Sequence, residues 1–374
     1  MIFEDYILFI QLLQVTLGYR QALHRFPTAE EWRQLFQNAK DQTVVGVCFM
    51  GVKRMKDQGA YIPNDVYFEW LSIATMIQQR NEQMNHWTGV LCRKIEKDGF
   101  FCCVLKGQAL ARLYDDNLSL FRQSGDIDVW MLVDHKAVVG WGQRNGGIKY
   151  YDYHHAHFLG FHDAVVELHY RPTLSRNLWR NVRLQRWFKQ EGAKLIDYDF
   201  KDSGFPVPNE TFNLILVINH NFWHLLYEGV GMRQMMDLYF VLQSQNENYR
   251  IKNEEFASLI KHFGLMKFST ALMWVMKEAF GLPEEKMVCE PDEKSGLFLL
   301  HEIMLAGNFG HSDNRLKKNR YSNRVKLMYD WMKHIWRLFS FYPVDVLWSP
   351  VGVLYISFWR RWHYLFDRID YYRK

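Results

Sequence analysis

The stretch Gly125-Asp126-Ile127-Asp128-Val129-Trp130-Met131-Leu132-Val133 sets two carboxylates two residues apart at the entrance to an apolar run. On a β-strand alternate side chains share a face, so this spacing turns Asp126 and Asp128 one way and Ile127 and Val129 toward a core. Two carboxylates on one face can grip a single divalent cation, a geometry suited to a metal–phosphate complex. Asp-x-Asp alone is weak, and its neighbours carry the reading further. Upstream, the apolar run Phe100 to Leu105 ends in Lys106-Gly107, followed by Ala109, Leu110, Leu113 and Tyr114 at helical spacing: strand, tight turn, helix. Such a turn presents backbone N–H groups to an anion, and Lys106 adds charge beside them. Downstream, Ala164 to Arg171 alternates Glu167, His169 and Arg171 against Val166, Leu168 and Tyr170, which gives a third carboxylate a strand to stand on.

These residues resemble the uncharacterised nucleotidyltransferases of the DNA polymerase β-like superfamily. The likeness lies in a Lys-Gly turn opening a helix that ends in Tyr, an Arg before Gly-Asp-Ile-Asp, and a Glu-Leu-His-aromatic-Arg strand. Here these are Lys106-Gly107, Tyr114, Arg122, Gly125-Asp126-Ile127-Asp128 and Glu167-Leu168-His169-Tyr170-Arg171. It continues less specifically into His220, His224, Arg233 and Asp237, and into Gly307-Asn308-Phe309-Gly310. Gln108 departs from the superfamily, which usually follows its first Gly with Ser or a second Gly, and the segment from Gly107 to Asp126 is longer than its norm.

The resemblance implies an α+β fold, a small mixed β-sheet nucleotidyltransferase core, with a nucleoside triphosphate such as ATP as donor and Mg²⁺ or Mn²⁺ as cofactor. In that scheme Asp126 and Asp128 hold a cation that also binds the triphosphate. Glu167 completes a second metal position or takes the proton of an acceptor hydroxyl. Lys106 and Gly107 hold the donor phosphates, with Arg122, Ser124, Gly125 and Arg171 contacting phosphate or orienting the carboxylates. His169, His220, His224 and Arg233 are candidates for the acceptor side.

Composition bounds the alternatives. A chain of 374 residues, 48% hydrophobic, can bury a large core, and its formal charge of +5 is mixed along the sequence, which gives no strong signal for nucleic acid. The five cysteines, Cys48, Cys92, Cys102, Cys103 and Cys289, show no framework spacing and fit reduced thiols in a cytoplasmic setting. Glu4 and Asp5 stand where a signal peptide carries positive charge, so no export is expected. Nor is there an uncharged apolar run of about eighteen residues, so no transmembrane segment is expected. The stretch Leu347 to Phe366 mixes Trp348, Tyr355, Phe358, Trp359, Trp362 and Phe366 with Arg360 and Arg361, and reads as an aromatic helix packed on its own domain in preference to a membrane-surface helix.

The texture divides the chain into a helical region, 1–99, an α+β core, 100–207, and a helical domain, 208–374. In the first, apolar residues recur at three and four positions between breaks at Gly18, Pro27, Gly59 and Pro63, and Thr28-Ala29-Glu30-Glu31 spells a capping box. In the core the expected strands are Phe101 to Leu105, Ile127 to Val133, His154 to Phe161, Ala164 to Tyr170 and Lys194 to Phe200, with a helix from His135 to Asn145 ended by Gly146-Gly147. Beyond Pro208, helices are expected over Phe212 to Tyr227, Met232 to Gln243, Glu254 to Phe263 and Lys267 to Phe280.

Other patterns carry less. The positive run Arg315, Lys317, Lys318, Arg320, Arg324 and Lys326 reads first as a solvated face. His154, His155, His157, His162 and His169 crowd one β-rich region, but no cysteine or carboxylate spacing completes a standard zinc pattern. His220 and His224 have Asn221 where a zinc protease needs Glu, and Walker, Rossmann and Gly-x-Ser-x-Gly motifs are missing from the sequence. Two other readings stand beside nucleotidyl transfer to an unidentified hydroxyl: a kinase using the same metal site, and a non-catalytic nucleotide-binding interaction module.

Overall fold

The computed structural model describes residues 6–115, 118–197, 204–244, 253–313, 315 and 324–366. In chain order the helices are α1 (Ile7–Thr16), α2 (Ala29–Asp41), α3 (Val45–Asp57), α4 (Asn64–Lys97), α5 (Gly107–Ala111), α6 (His135–Asn145), α7 (Leu178–Gln190), α8 (Glu210–Tyr227), α9 (Met232–Gln243), α10 (Asn253–His262), α11 (Met266–Phe280), α12 (Glu293–Ala306), α13 (Arg324–Leu338) and α14 (Pro343–Phe366). The strands are β1 (Cys102–Leu105), β2 (Asp126–Met131), β3 (Ile148–Tyr151), β4 (His155–Phe158), β5 (Val165–His169), and the short β6 (Ile196–Asp197) and β7 (Val207–Pro208). This is an α+β fold. The chain divides into two compact units, 1–82 with 113–124 and 224–331, and 83–112 with 125–223 and 332–374.

The first unit is helical. Its N-terminal breaks fall where Gly and Pro stand: α1 gives way to Gly18 at φ +77°, α2 begins after Pro27, and α4 begins after Pro63. The capping box forms, with the Thr28 hydroxyl accepting from the Glu31 N–H and the Glu31 carboxylate accepting from the Thr28 N–H at 2.7 Å. Arg25 and then the Thr28 amide pull the Glu31 carboxyl down to about 2. Thr28→Ala is expected to lower stability by about 1 kcal/mol, measured as a shift in the denaturant midpoint, since it leaves a helix-terminal N–H without its partner. Helix α11 packs against α12 and α1, and α1 against α3, burying Phe9, Ile10, Phe268 and Phe280.

The second unit is built on a five-stranded mixed sheet of order β1-β2-β5-β4-β3. Its single parallel pair, β2 with β5, lies inside the sheet, and the remaining neighbours run antiparallel. Alternation gives the sheet two chemically opposite faces. On one, Cys102, Val104, Ile127, Val129, Met131, Ala156, Phe158, Val166 and Leu168 join a core with Leu91, Trp141 and Trp359. On the other stand Asp126, Asp128, Glu167, His169, His155 and His157, brought level by the strand registers.

Helix α6 matches its expected span, capped by Asp134 and stopped at Gly146. A side chain at Gly146 would strike Gly160, whose Cα lies 2.3 Å from the place a Cβ would take, and φ there is +156°. Strand β3, helix α7 and the short β7 had no expectation. Strand β3 hides because its burial runs buried, exposed, exposed, buried around a register shift at Ile148/Tyr150, which erases the alternation that signals a strand. Helix α7 hides behind Arg180, Arg183, Arg186 and Lys189; Asn177 caps it by accepting from the Arg180 N–H at 3.2 Å. The Lys194 to Phe200 stretch opens with a 3-10 turn over Gly192–Leu195 and only then enters β6, while 198–200 lie outside the described residues.

Helix α14 packs one stripe into this unit. Asp345 takes the Arg180 guanidinium, Gly352 sits against Arg176, and Trp359 lies among Tyr153, Tyr170 and His135. Its opposite stripe, including Leu347, Leu354, Phe358 and Trp362, is exposed. Among the described residues no helix is long and apolar enough to cross a membrane. All five cysteines are free, four of them buried. Of the positive run, Lys317, Lys318 and Arg320 lie outside the described residues, whereas Arg315 is ion-paired with Asp313 and Glu302.

Candidate functional site

Register builds the centre of the site. Asp128 on β2 faces Glu167 on β5, Leu105 of β1 faces Asp128 from the other side, and His157 of β4 faces Glu167. Lys106, the residue after β1, therefore arrives beside Asp128, with Nζ 3.1 Å from Oδ1. Lys106 holds φ +46° and ψ −142°, a region that a side-chain-bearing residue rarely adopts and that costs roughly 1–3 kcal/mol. Gly107 follows at φ +33° and packs a would-be Cβ position 3.4 Å from the Asp126 carbonyl oxygen, opening the five-residue helix α5. No side chain caps that first turn. Gln108, the departure from the superfamily pattern, is buried and donates to Asn85 Oδ1 at 2.7 Å.

His169 completes the centre from beneath. It is 1% exposed, its Nε2 lies 2.7 Å from Asp128 Oδ1 and 3.5 Å from Glu167 Oε2, and its Nδ1 lies 3.2 Å from the Arg171 carbonyl oxygen. Burial works against its charge, but hydrogen bonds to Asp128 and Glu167 outweigh it and raise its pKa to about 9. At neutral pH it is an imidazolium donating from both nitrogens. Burial likewise opposes the Asp128 carboxylate, and Lys106 and His169 together hold its pKa well below the usual range. Glu167 is also lowered: burial opposes its charge, while the His169 hydrogen bond and His155 favour it. Lys106 is raised despite burial, because Asp128, Asp126 and Glu167 surround it with negative charge. The centre is thus fully ionised, two cationic side chains among carboxylates.

The carboxylates of Asp128 and Glu167 offer ligand atoms within 4.8 Å of one another and of His169 Nε2, a separation that fits one cation. Asp126 sits one pleat before Asp128 on the same face, roughly 7 Å along the strand, half-buried beside the exposed Gly125. Among the described residues, the clusters whose donor atoms lie within 4.8 Å of one another include Asp128 and Glu167 and do not include Asp126.

The other expected site residues are placed differently. Arg171 lies just past the end of β5: its guanidinium donates to the Tyr153 carbonyl and stands over the rings of Tyr153 at 4.2 Å and Trp359 at 5.4 Å. His220 is half-buried on α8, one turn before His224. In the helical unit, Arg122 forks onto Asp237, with Nε–Oδ1 2.6 Å and Nη2–Oδ2 2.7 Å, and the Tyr114 hydroxyl donates to the same carboxylate at 2.8 Å. Ser124 donates to Asn81 Oδ1, and Asn81 donates in turn to the carbonyls of Leu120 and Arg122, so one buried amide pins the segment that leads to Gly125. Arg233 donates to the Gln123 carbonyl at 3.1 Å and stands over Phe309. His224 Nδ1 lies 3.0 Å from Glu228 Oε2, and its ring also meets Phe309. Gly229 and Gly231 press on Gly310 and Asn308, so the Gly307-Asn308-Phe309-Gly310 turn is part of that unit's packing.

Sequence reading missed His155 and His157 as neighbours of Glu167, at 3.3 and 3.5 Å. The signal was present: His-x-His on a strand puts both rings on one face, as Asp-x-Asp does for carboxylates.

A family model described as Uncharacterised nucleotidyltransferase matches residues 28–281, more than half of the chain. The chain belongs to that family. No curated protein and no solved structure matches it. The matched span contains the Lys106-Gly107 turn, the Asp pair, Glu167 and the Arg122–Asp237 pair, whereas Gly307-Asn308-Phe309-Gly310 lies beyond it. The span matched to the family thus covers the ionised centre on β2 and β5.

Proposed function

We propose that this chain transfers a nucleotidyl group from a nucleoside triphosphate, such as ATP, to a hydroxyl of an acceptor. The observation that carries the reading is the parallel register setting Asp128 beside Glu167, with Lys106 at hydrogen-bonding distance from Asp128 on a strained turn. Asp126, Asp128 and Glu167 would hold Mg²⁺ or Mn²⁺, which when bound neutralises charge on the triphosphate oxygens and aligns the attack. The acceptor oxygen bonds to the α-phosphorus as the bond to the bridging oxygen breaks, pyrophosphate leaves, and the hydroxyl proton passes to water.

The residues divide the remaining work. His169 locks the Asp128 carboxylate in orientation through Nε2. A Glu167 carboxyl held below its usual range is a weak base and a good cation ligand, which favours the ligand role over proton removal. Lys106 stays charged and supplies a cation to the donor phosphates beside the Gly107 turn. Arg122, Ser124 and Gly125 serve by holding the approach to β2, and Arg171 by anchoring the end of β5. Free cysteines suit a reducing, cytoplasmic setting.

The test is incubation of purified protein with each α-labelled nucleoside triphosphate, Mg²⁺ and candidate acceptors, reading label transfer and pyrophosphate together. Transfer that is lost in Asp126→Asn supports the proposal. Release of nucleoside diphosphate instead would make the protein a kinase, and cation-dependent nucleotide binding without turnover in any mixture would make it a binding module.

A further inference from the structure

We propose that His155, His157 and Glu167 form a binding site for a divalent transition-metal ion of the zinc class, next to the carboxylate pair and chemically distinct from it. The site is made by the sheet. His155 and His157 share one face of β4, and His157 is in register with Glu167 on β5, so three donors from two adjacent strands converge. The two Nε2 atoms lie 3.0 Å apart, His157 Nε2 lies 3.5 Å from Glu167 Oε1, and one donor atom from each of the three residues lies within 4.8 Å of the others. Donors bound at ~2.0–2.2 Å to one tetrahedral ion stand roughly 3.3–3.5 Å from each other, so the two rings and the His157–Glu167 pair already sit close to ligand spacing.

A neighbouring ring supports the coordination. His154 Nε2 lies 2.9 Å from His155 Nδ1, so an Nδ1–H on His155 has an acceptor and its Nε2 lone pair points toward His157, the arrangement that orients metal-bound histidines elsewhere. The His155 and His157 side chains keep 12% and 20% exposure, which leaves an open side for water or a substrate atom. Two imidazoles and one carboxylate suit zinc, cobalt, nickel or iron(II), whereas Mg²⁺ prefers oxygen throughout. Glu167 is the residue common to this site and to the proposed Mg²⁺ site, which makes it the natural bridge between two unlike ions. Metal binding is read directly and holds whether or not nucleotidyl transfer is the reaction.

The experiment is calorimetric titration of metal-stripped full-length protein with zinc chloride in the presence of excess Mg²⁺. The wild type is expected to bind one zinc ion. His155→Ala and His157→Ala should each weaken binding by more than the ~10–100-fold that follows from altering a residue behind a ligand. His162→Ala, a histidine stacked on Trp87 outside the cluster, should leave zinc affinity unchanged. Cobalt(II) added to the wild type gives a second readout independent of variant folding: visible absorption of a low-symmetry, imidazole-bound ion that zinc then bleaches. Failure of the wild type to bind zinc, equal binding by all three variants, or a cobalt spectrum no different from the aqua ion would overturn the site.

Discussion

Asp128→Asn is expected to abolish nucleotide transfer, lowering turnover by at least ~10³-fold, about 4 kcal/mol of transition-state stabilisation. The amide keeps the shape of the side chain but removes the charge on which Lys106 Nζ, at 3.1 Å, and His169 Nε2, at 2.7 Å, converge. It also leaves the buried His169 imidazolium and the half-buried Lys106 ammonium facing a neutral group, so a stability loss of roughly 3 kcal/mol accompanies the loss of activity. Asp126→Asn separates the two effects. Asp126 is half-buried at the open end of β2, and its replacement is expected to stop transfer with little change in thermal midpoint. Pyrophosphate release and denaturant titration measured on both variants read the two quantities, and wild-type turnover in either would remove the aspartate pair from the proposed chemistry.

Asp237→Ala is expected to cost about 3–5 kcal/mol of stability, the loss expected when one member of a buried ion pair is removed. Asp237 is 5% exposed and accepts from Arg122 at both carboxylate oxygens and from the Tyr114 hydroxyl at Oδ1, so its deletion strands a guanidinium and a phenol in the interior of the helical unit. The Asp237→Leu, Arg122→Met double variant removes both charges together and should recover most of the lost stability, because the cost lies in the uncompensated charge and not in the missing contact. A loss below about 1 kcal/mol in the single variant would show that this pair does not hold Leu113 to Ser124 in place.

The legible parts of this chain were those where local rules and tertiary structure agree. Thr28 and Glu31 form the capping box their spacing spells, and α6 and α9 occupy the spans their apolar periodicity and flanking glycines mark. The polar and apolar faces of β2 and β5 could be read because a period of two leaves each residue one choice of side. Strand β3 and helix α7 were hidden, the first by a register shift, the second by an arginine-rich face.

Within the site, the sequence by itself determined which residue types share a face: Asp126 with Asp128, Glu167 with His169, and His155 with His157. It could not say which strand stands next to which, because pairing between β2 and β5 joins residues some forty positions apart and depends on the crossover between them. Only the tertiary structure put Asp128 level with Glu167, Glu167 level with His157, and Lys106 at the end of β1 against Asp128. It alone decided that Arg122, beside the motif in sequence, spends its guanidinium on Asp237, since a buried fork of donors takes the carboxylate that packing brings to it and not the nearest one along the chain.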